Sequence, residues 1–272
     1  MSAERQRRYM ARIAADPQKR AEFLLKDRLR KQKKGQRETV PQHEPKYVMM
    51  QNEPRQEPKW CADMPCMLLL CHPFTAVVAG PTGCGITAWV LRLIDNARET
   101  IDLSPTRIWY YYGEHQPTFN NYSWVHFEEG LPQLNDEVFD GRQPSMIVVD
   151  DHISDTNQLV ADIFTKISHH RDISILHLTQ NFLFDKNKFA RTISLNAHYL
   201  FLFKNPRDAG QFAVLARQMY PNWWKFAVEG YQDAASVPYG YLLVDLKPDQ
   251  DERCRLRTNV FPGELQHLYV RK

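Results

Sequence analysis

One stretch of this sequence, Phe74–Val90, restricts the possible folds more than any other. It begins with the apolar run FTAVVA, which predicts a buried β-strand. The glycine-rich segment GPTGCGIT follows, and AWVLRLI then has the composition of a helix. A strand, a glycine-rich turn and a helix, in this order, are the context of a phosphate-binding loop. The alternative is a chance strand-to-helix turn, but the three glycines and the hydroxyl residue that follows them argue against this interpretation.

The loop itself supplies most of what a bound phosphate group requires. Its glycines allow positive φ and a close approach of the backbone, so that successive N–H groups can point at an anion. Thr87 stands where the motif G-x-x-x-x-G-K-[ST] places a hydroxyl for Mg²⁺, but Ile86 stands where it places a lysine that contacts the β- and γ-phosphates. Two interpretations remain open, a nucleotide site with weak or no hydrolysis and a relic of such a site. The candidate nucleotide-binding residues are Gly80, Pro81, Thr82, Gly83, Cys84, Gly85, Ile86 and Thr87.

Two later strands end in polar residues that such a loop would need. The segment SMIVVDD predicts a strand that ends in Asp150 and Asp151. Asp150 would hold Mg²⁺ through water, and Asp151 would polarise an attacking water molecule. The segment ISILHLTQN ends in Gln180, which would sense the γ-phosphate and orient water. The ordinary alternatives are a helix start for the two aspartates and a turn cap for the glutamine.

Strands and helices alternate along the body of the chain, which predicts an α/β fold with a mostly parallel sheet and helices on both faces. Asn222 is the expected N-cap of one late helix, and a hairpin at the sheet edge is expected to close the fold. The other strands are expected at 107–113, 125–127, 198–203, 239–246 and 253–260, and the helices at 88–100, 135–139, 156–168, 188–195 and 205–220.

Charge divides the chain unevenly. Residues 1–60 carry 16 Lys+Arg and 8 Asp+Glu, whereas residues 61–272 carry 19 and 24. We expect a basic helical arm over 1–37, a proline-rich linker over 38–70 and the α/β domain over 71–272. The arm would bind the phosphates of DNA or RNA, or act as a nuclear import signal. A solvated charged tail is the alternative.

The sequence gives three indications of compartment. The five cysteines are an odd number without the spacing of a disulfide framework, which favours a reducing environment. The first residues lack the apolar segment of a signal peptide. No apolar stretch is long enough to span a bilayer. We therefore expect an intracellular protein that is neither secreted nor a membrane protein.

Five segments, in order, resemble the viral genome-packaging ATPases of the FtsK/HerA class, the poxvirus-type group that large self-synthesising DNA transposons also carry. The resemblance implies ATP and Mg²⁺ as cofactors, a homo-oligomeric ring that translocates double-stranded DNA, and a nuclear site or a cytoplasmic viral factory. The segments are HPFTAVVAGPTGCGIT, SMIVVDDHISD, FTKISHHRDISILHLTQN, RTISLNAHYLFLFKNPRD and YGYLLVDL.

By position, the resemblance makes Thr87 and Asp150 the metal ligands, and Asp151 and Gln180 the catalytic pair. An arginine from a neighbouring subunit usually completes such sites, and the candidates are Arg171, Arg191 and Arg207. Two positions depart from the family pattern, Ile86 in place of the lysine and Lys166-Ile167 in place of Arg-Gly.

Three hypotheses follow from these residues. The first is a packaging-type motor whose ATP hydrolysis is impaired by Ile86. The second is a catalytically decayed, element-derived protein that binds nucleic acid through its basic arm. The third, which the five segments make the weakest, is a chromosomal NTPase with an unrelated substrate.

Overall fold

A computed structural model describes residues 68–132, 142–150, 158–167, 172–180, 188–207 and 210–271. The basic arm, most of the linker, the helix expected at 135–139, Asp151 and Arg171 lie outside these ranges. None of the helices in the described ranges is long and apolar enough to cross a membrane.

Within the described ranges, nine strands form one sheet. Its strand order is β3-β2-β4-β5-β1-β6-β7-β8-β9, in which the six strands from β3 to β6 are parallel and the last three run antiparallel to their neighbours. The strands are β1 (Thr75–Ala79), β2 (Arg107–Tyr112), β3 (His126–Glu129), β4 (Ser145–Val149), β5 (Ile173–Thr179), β6 (Tyr199–Phe203), β7 (Tyr241–Asp245), β8 (Leu256–Thr258) and β9 (His267–Leu268).

The helices cover both faces of this sheet, as the sequence predicts. In β1, Ala76 and Val78 belong to the apolar layer that contains α1, whereas Val77 and Ala79 belong to the layer that contains α3 to α6. Every residue of β1, β4 and β6 is buried, which is typical of parallel strands covered on two sides. The helices are α1 (Ile86–Asp95), α2 (Ala97–Thr100), α3 (Gln158–Asp162, continued by a π-helical turn, Ile163–Ile167), α4 (Lys188–Leu195), α5 (Gly210–Met219) and α6 (Trp224–Ala234).

Three of the expected helices differ from those observed. Residues 205–207, the expected start of one of them, are not helical, and α5 is described from Gly210. The helix expected over 88–100 begins earlier, at Ile86, and it is interrupted at Asn96, which separates α1 from α2. Asn222 does not cap α6, because the chain closes a turn in which the Trp223 N–H donates to the Tyr220 carbonyl at 3.0 Å. Trp223 is therefore the N-cap, and it makes no side-chain cap hydrogen bond.

The antiparallel flank is larger than the expected edge hairpin. β7 and β8 do pair antiparallel, but β9 lies outside β8 and forms the edge. Under this flank, Arg257 Nη2 lies 3.3 Å from Asp245 Oδ2, and both side chains are almost fully buried. Burial raises the pKa of Asp245, and the opposite charge of Arg257 only partly offsets this effect.

Candidate functional site

The segment between β1 and α1 folds as a tight loop at the carboxyl edge of the parallel strands. The Gly80 N–H donates to the Thr179 carbonyl at 3.1 Å, and the Cys84 N–H donates to the Pro81 carbonyl at 3.1 Å. Gly83 and Gly85 have φ values of 80° and 92°, a region that residues with a Cβ rarely occupy. Gly85 is the N-cap of α1; it brings no side-chain cap, and the first turn contains no acidic residue. The first turn of α1 therefore presents a partial positive charge that none of its own residues neutralises.

Gly80 is required by contact rather than by its dihedral angles. A Cβ built on Gly80 would lie 2.6 Å from Cys84 Sγ and 2.7 Å from Phe203 Cβ. The thiol of Cys84 thus folds back over the start of the loop, against the last residue of β6. Burial raises the pKa of this thiol more than its backbone hydrogen bonds lower it. The thiol is therefore neutral at physiological pH, and it adds no negative charge to the loop.

Ile86 fills the lysine position of the motif with an apolar side chain. It is half-buried and packs against the apolar layer between α1 and the sheet, while it also lines the cavity above the loop. Of the described residues around this cavity, Arg92, Asp150 and Glu264 are charged. Arg92 forms an ion pair with Glu264 and lies over the ring of Phe261 at 4.1 Å. That arginine is thus already engaged at the rim of the cavity.

Two oxygen donors that the sequence assigns to Mg²⁺ meet at a buried tyrosine. Asp150 follows β4 and is 8 % exposed. The Tyr110 hydroxyl donates to Asp150 Oδ2 at 3.4 Å, and the Thr87 hydroxyl contacts the same tyrosine. Burial, together with the charge of Asp150, raises the pKa of Tyr110 far above its usual value. Tyr110 therefore remains a neutral donor that holds the two side chains close to each other.

These two side chains fit the coordination chemistry of Mg²⁺. A hydroxyl and a carboxylate are hard oxygen donors, and Mg²⁺ commonly uses one or two protein ligands together with substrate phosphates and water. No group of three or more His, Cys, Asp or Glu residues in the described ranges could hold an ion by itself. A cation here would consequently depend on oxygen atoms that a bound ligand supplies.

The strand order affects how the carboxylate reaches the loop. β5 lies between β1 and β4, so Asp150 approaches the loop from two strands away. Gln180, which follows β5, is exposed and lines the same cavity as Asp150 and the loop. Arg191 on α4 and Arg207 after β6 are exposed, and neither lines this cavity. Asp151 and Arg171 lie outside the described residues, so their roles, like those of the two exposed arginines, stay predictions.

The cavity above the loop has a volume of about 880 Å³. Binding sites for small molecules typically have volumes of roughly 300–1,000 Å³. It is lined by the loop after β1, by Asp150 and Gln180 on the side of β4 and β5, and by Val237, Tyr239 and Phe261 on the side of β7 and β8.

Sequence reasoning missed two tyrosines of this site. Tyr110 lies within a strand that was expected, but only the pairing of β2 with β4 brings it beside Asp150. Tyr239 was expected at the start of a strand, whereas it lies in the turn before β7 with a φ of 59°. The dipeptide Tyr239-Gly240 was the available signal, since glycine commonly marks a turn.

The parallel sheet, the glycine loop that joins β1 to α1 and the acidic end of β4 define a class: the described residues form a P-loop NTPase fold. By structure, the chain is similar to the genome packaging NTPase of Sulfolobus turreted icosahedral virus 2. That protein was solved with sulfate (9 % identity, TM-score 0.42) and with ATP-gammaS (11 %, 0.40), and each match covers 69 % of this chain and 96 % of that chain.

A third solved structure, the N-terminal domain of zonular occludens toxin from Neisseria meningitidis, is 13 % identical. Its TM-score is 0.30, and the match covers 48 % of this chain and 76 % of that domain. No protein-family model and no curated protein matches the sequence. All three TM-scores are below 0.5, so these similarities identify neither a function nor a functional residue of this chain.

Proposed function

We propose that this protein binds ATP·Mg²⁺ on the Gly80–Gly85 loop and belongs to the packaging type of P-loop motors, with ATP hydrolysis slowed by Ile86. The observation that carries the proposal is the meeting of the loop, Thr87 and Asp150 around one cavity. The phosphates would accept hydrogen bonds from the loop N–H groups, and Mg²⁺ would neutralise charge that the missing lysine cannot.

Each group of residues at the site has a distinct proposed role. Backbone N–H groups of the loop and of the first turn of α1 bind and orient the phosphates. Thr87 and Asp150 would hold the cation, which supplies electrostatic stabilisation of the transferred phosphoryl group. Gln180 would orient the attacking water, and Asp151 would accept its proton.

Ile86→Lys tests the catalytic part of the proposal. The lysine stem can cover the apolar surface that Ile86 covers, while the ammonium reaches the cavity. A single group that stabilises developing charge is commonly worth about 10²–10³ in kcat. We expect a rise of that order in ATP turnover, measured by phosphate release with Mg²⁺ and DNA present.

Ile86→Met is the matched control, because it supplies an unbranched apolar side chain without charge. We expect its turnover to equal that of the natural protein. Calorimetric titration of ATP with Mg²⁺ and with EDTA then tests binding separately. If neither condition gives binding heat, the proposed nucleotide site is wrong. If the Lys and Met variants have equal turnover, position 86 has no catalytic role.

We further propose that the partner is double-stranded DNA, moved by a ring of identical subunits within the cell. Support comes from the resemblance of five sequence segments and from the excess of positive charge in residues 1–60. Arg191 and Arg207 are exposed, as an arginine that completes a neighbour's site must be. If ATP turnover is DNA-stimulated and depends more than linearly on protein concentration, the ring is supported; linear dependence would contradict it.

A nucleic-acid-binding protein without turnover is the second candidate, and the charge of the arm is the observation that favours it. Replacement of Lys31, Lys33 and Lys34 by Gln in the full chain should weaken DNA binding at low salt and reduce its salt dependence. Unchanged affinity in this variant would show that the arm is not the contact.

A further inference from the structure

We propose that the ring of Tyr239 is the stacking surface for the base of a purine nucleoside triphosphate whose phosphates lie on the Gly80–Gly85 loop. The proposal rests on the nucleotide site proposed above and assigns the part of it that recognises the base. Four observations on the turn before β7 support it.

The first observation is the shape of the turn. The Gly240 N–H donates to the Val237 carbonyl at 3.2 Å, with Pro238 and Tyr239 as the two central residues. Tyr239 has a φ of 59°, which corresponds to the third position of a turn that usually contains glycine or asparagine. A bulky residue in this region is an outlier, and such strain occurs preferentially at functional sites.

The second observation is that the strain would not be relieved if Tyr239 and Gly240 exchanged positions in the sequence. A Cβ on Gly240 would lie 2.3 Å from the Ala234 carbonyl oxygen, so a tyrosine cannot occupy position 240 without displacing backbone. The Lys204 N–H donates to the Gly240 carbonyl at 2.9 Å, which attaches the turn to the end of β6. The chain therefore fixes the backbone position from which the ring of residue 239 extends.

The third observation is where that ring lies. Its Cδ1 atom is 3.0 Å from the position that a Gly85 Cβ would occupy, so the ring lies beside the last glycine of the loop. It lines the same cavity as the loop. Nevertheless 68 % of Tyr239 is exposed, and its neighbour Val237 is 56 % exposed. The turn thus presents an uncovered aromatic and aliphatic surface next to the loop.

The fourth observation is direction. Asp150 and Gln180 approach the loop from β4 and β5, whereas Tyr239 approaches from the side of β6 and β7. A nucleotide with its γ-phosphate and metal at the first side extends its base toward the second. Stacking of a base on an aromatic ring needs no exact hydrogen-bond match, and the larger face of a purine covers more of the ring than that of a pyrimidine.

The test compares ligands with and without a base. Tyr239→Gly removes the ring and also suits the backbone conformation, so the variant is expected to fold at least as well as the natural protein. We expect its affinity for ATP·Mg²⁺ to fall by about tenfold or more. Its affinity for tripolyphosphate·Mg²⁺ should stay within about twofold, because that ligand has only the phosphates. Both are measured by calorimetry on the full chain.

Three controls complete the design. Tyr239→Phe keeps the ring and should bind both ligands as the natural protein does. Trp124→Ala removes another exposed aromatic side chain that does not line the cavity, and it should change neither affinity. In the natural protein ATP should bind more tightly than CTP, and Tyr239→Gly should remove most of that difference.

The outcomes separate this proposal from the proposed function. An equal fall for ATP and tripolyphosphate in Tyr239→Gly would overturn stacking and leave phosphate binding in place. A rise for both ligands would mean that the ring covers the loop, which also overturns stacking. If the natural protein binds neither ligand, the proposed nucleotide site fails, and this inference fails with it.

Discussion

Two buried aspartates lie at opposite edges of the sheet, one at the amino ends of the parallel strands and one at their carboxyl ends. Their surroundings differ, and we infer different roles for them. Asp245 is the last residue of β7 and pairs with Tyr199, the first residue of β6, so it lies at the amino ends of the parallel strands. It accepts hydrogen bonds from the Gln250 amide at 2.8 Å and the Lys247 N–H at 3.1 Å, and it forms an ion pair with Arg257. Asp150 follows β4 at the other edge, beside the Tyr110 hydroxyl and the cavity.

The two carboxylates differ in which positive charge compensates each of them. The protein supplies a buried cation for Asp245, so the charge of this carboxylate is compensated within the fold itself. For Asp150 we propose that a bound cation and its ligand complete the coordination. Substitutions at the two edges should therefore separate stability from binding.

Arg257→Met should have the largest effect. It leaves Asp245 buried without its cation, which typically costs about 3–5 kcal/mol. Urea unfolding of the full chain measures this loss. The loss should be smaller at acidic pH, because burial raises the pKa of Asp245 and a protonated carboxyl no longer needs the cation.

The double substitution Asp245→Leu with Arg257→Met is the control, and it should recover most of the lost stability because no buried charge remains. ATP·Mg²⁺ affinity should not change in either variant once the folded fraction is accounted for. A large fall in affinity would show that this edge of the sheet also serves the site.

Asp150→Asn should give the opposite result. Asparagine can still accept from the Tyr110 hydroxyl, so the free energy of unfolding should change by less than about 1 kcal/mol. The loss of a carboxylate from the proposed metal site should weaken ATP binding in Mg²⁺ by about 10–100-fold. Titrations in EDTA should give equal affinities for the variant and the natural protein. A comparable loss in EDTA would mean that Asp150 acts on the loop itself.

Tyr110→Phe tests whether the tyrosine positions the two proposed metal ligands. Loss of one buried hydrogen bond should cost about 1 kcal/mol of stability. Affinity for ATP in Mg²⁺ should fall by about 3–10-fold, since Thr87 and Asp150 lose the hydroxyl between them.

Tyr199→Phe is the matched control for Tyr110→Phe. This tyrosine is also fully buried, and its hydroxyl accepts the Cys71 N–H at 3.0 Å at the opposite edge. It should cost similar stability without changing the affinity for ATP. Equal effects of the two substitutions on ATP binding would contradict a positioning role for Tyr110.

Asp251→Asn should have the smallest effect. Hydrogen bonds from the Arg253 side chain and N–H lower the pKa of Asp251 to about 2. Because the folded-state pKa is lowered, this contribution is present above the usual value of 3.8 and disappears as the pH falls toward 2. Arg253 is exposed and Asp251 is half-buried, so solvent screens the interaction and the contribution of Asp251 should be about 0.5 kcal/mol.

Urea unfolding between pH 5 and pH 2 measures this difference between Asp251→Asn and the natural protein. Arg253→Gln serves as the control, and because it removes the same interaction it should give a comparable difference from the natural protein. A difference that persists unchanged at pH 2 would show that Arg253 is not its source.

The sequence predicted the parts of this protein that follow from local pattern. The run from Phe74 to Val90 contains its own strand, turn and helix signals, and the acidic end of β4 follows directly from SMIVVDD. The carboxyl ends of parallel strands meet at one edge, so Asp150 and Gln180 could be placed near the loop without coordinates.

The parts that were missed depend on contacts between distant segments. Tyr110 matters because β2 pairs with β4, and no local pattern specifies that pairing. Tyr239 matters because it lies 154 residues after Gly85 in the sequence but beside it in the fold. Its positive φ could not be predicted either, because tyrosine rarely adopts that conformation. Asn222 failed as a cap because the turn from Tyr220 to Trp223 delays the start of α6.

The return of the turn before β7 to the Gly80–Gly85 loop has a consequence during synthesis. Loop, strand and helix signals all lie within the first hundred residues, whereas Tyr239 and Phe261 leave the ribosome much later. A nascent chain that ends before residue 237 therefore has the glycine bend but lacks the wall that encloses it. Any nucleotide-dependent protection of the polypeptide against protease should consequently arise only after the final strands have emerged.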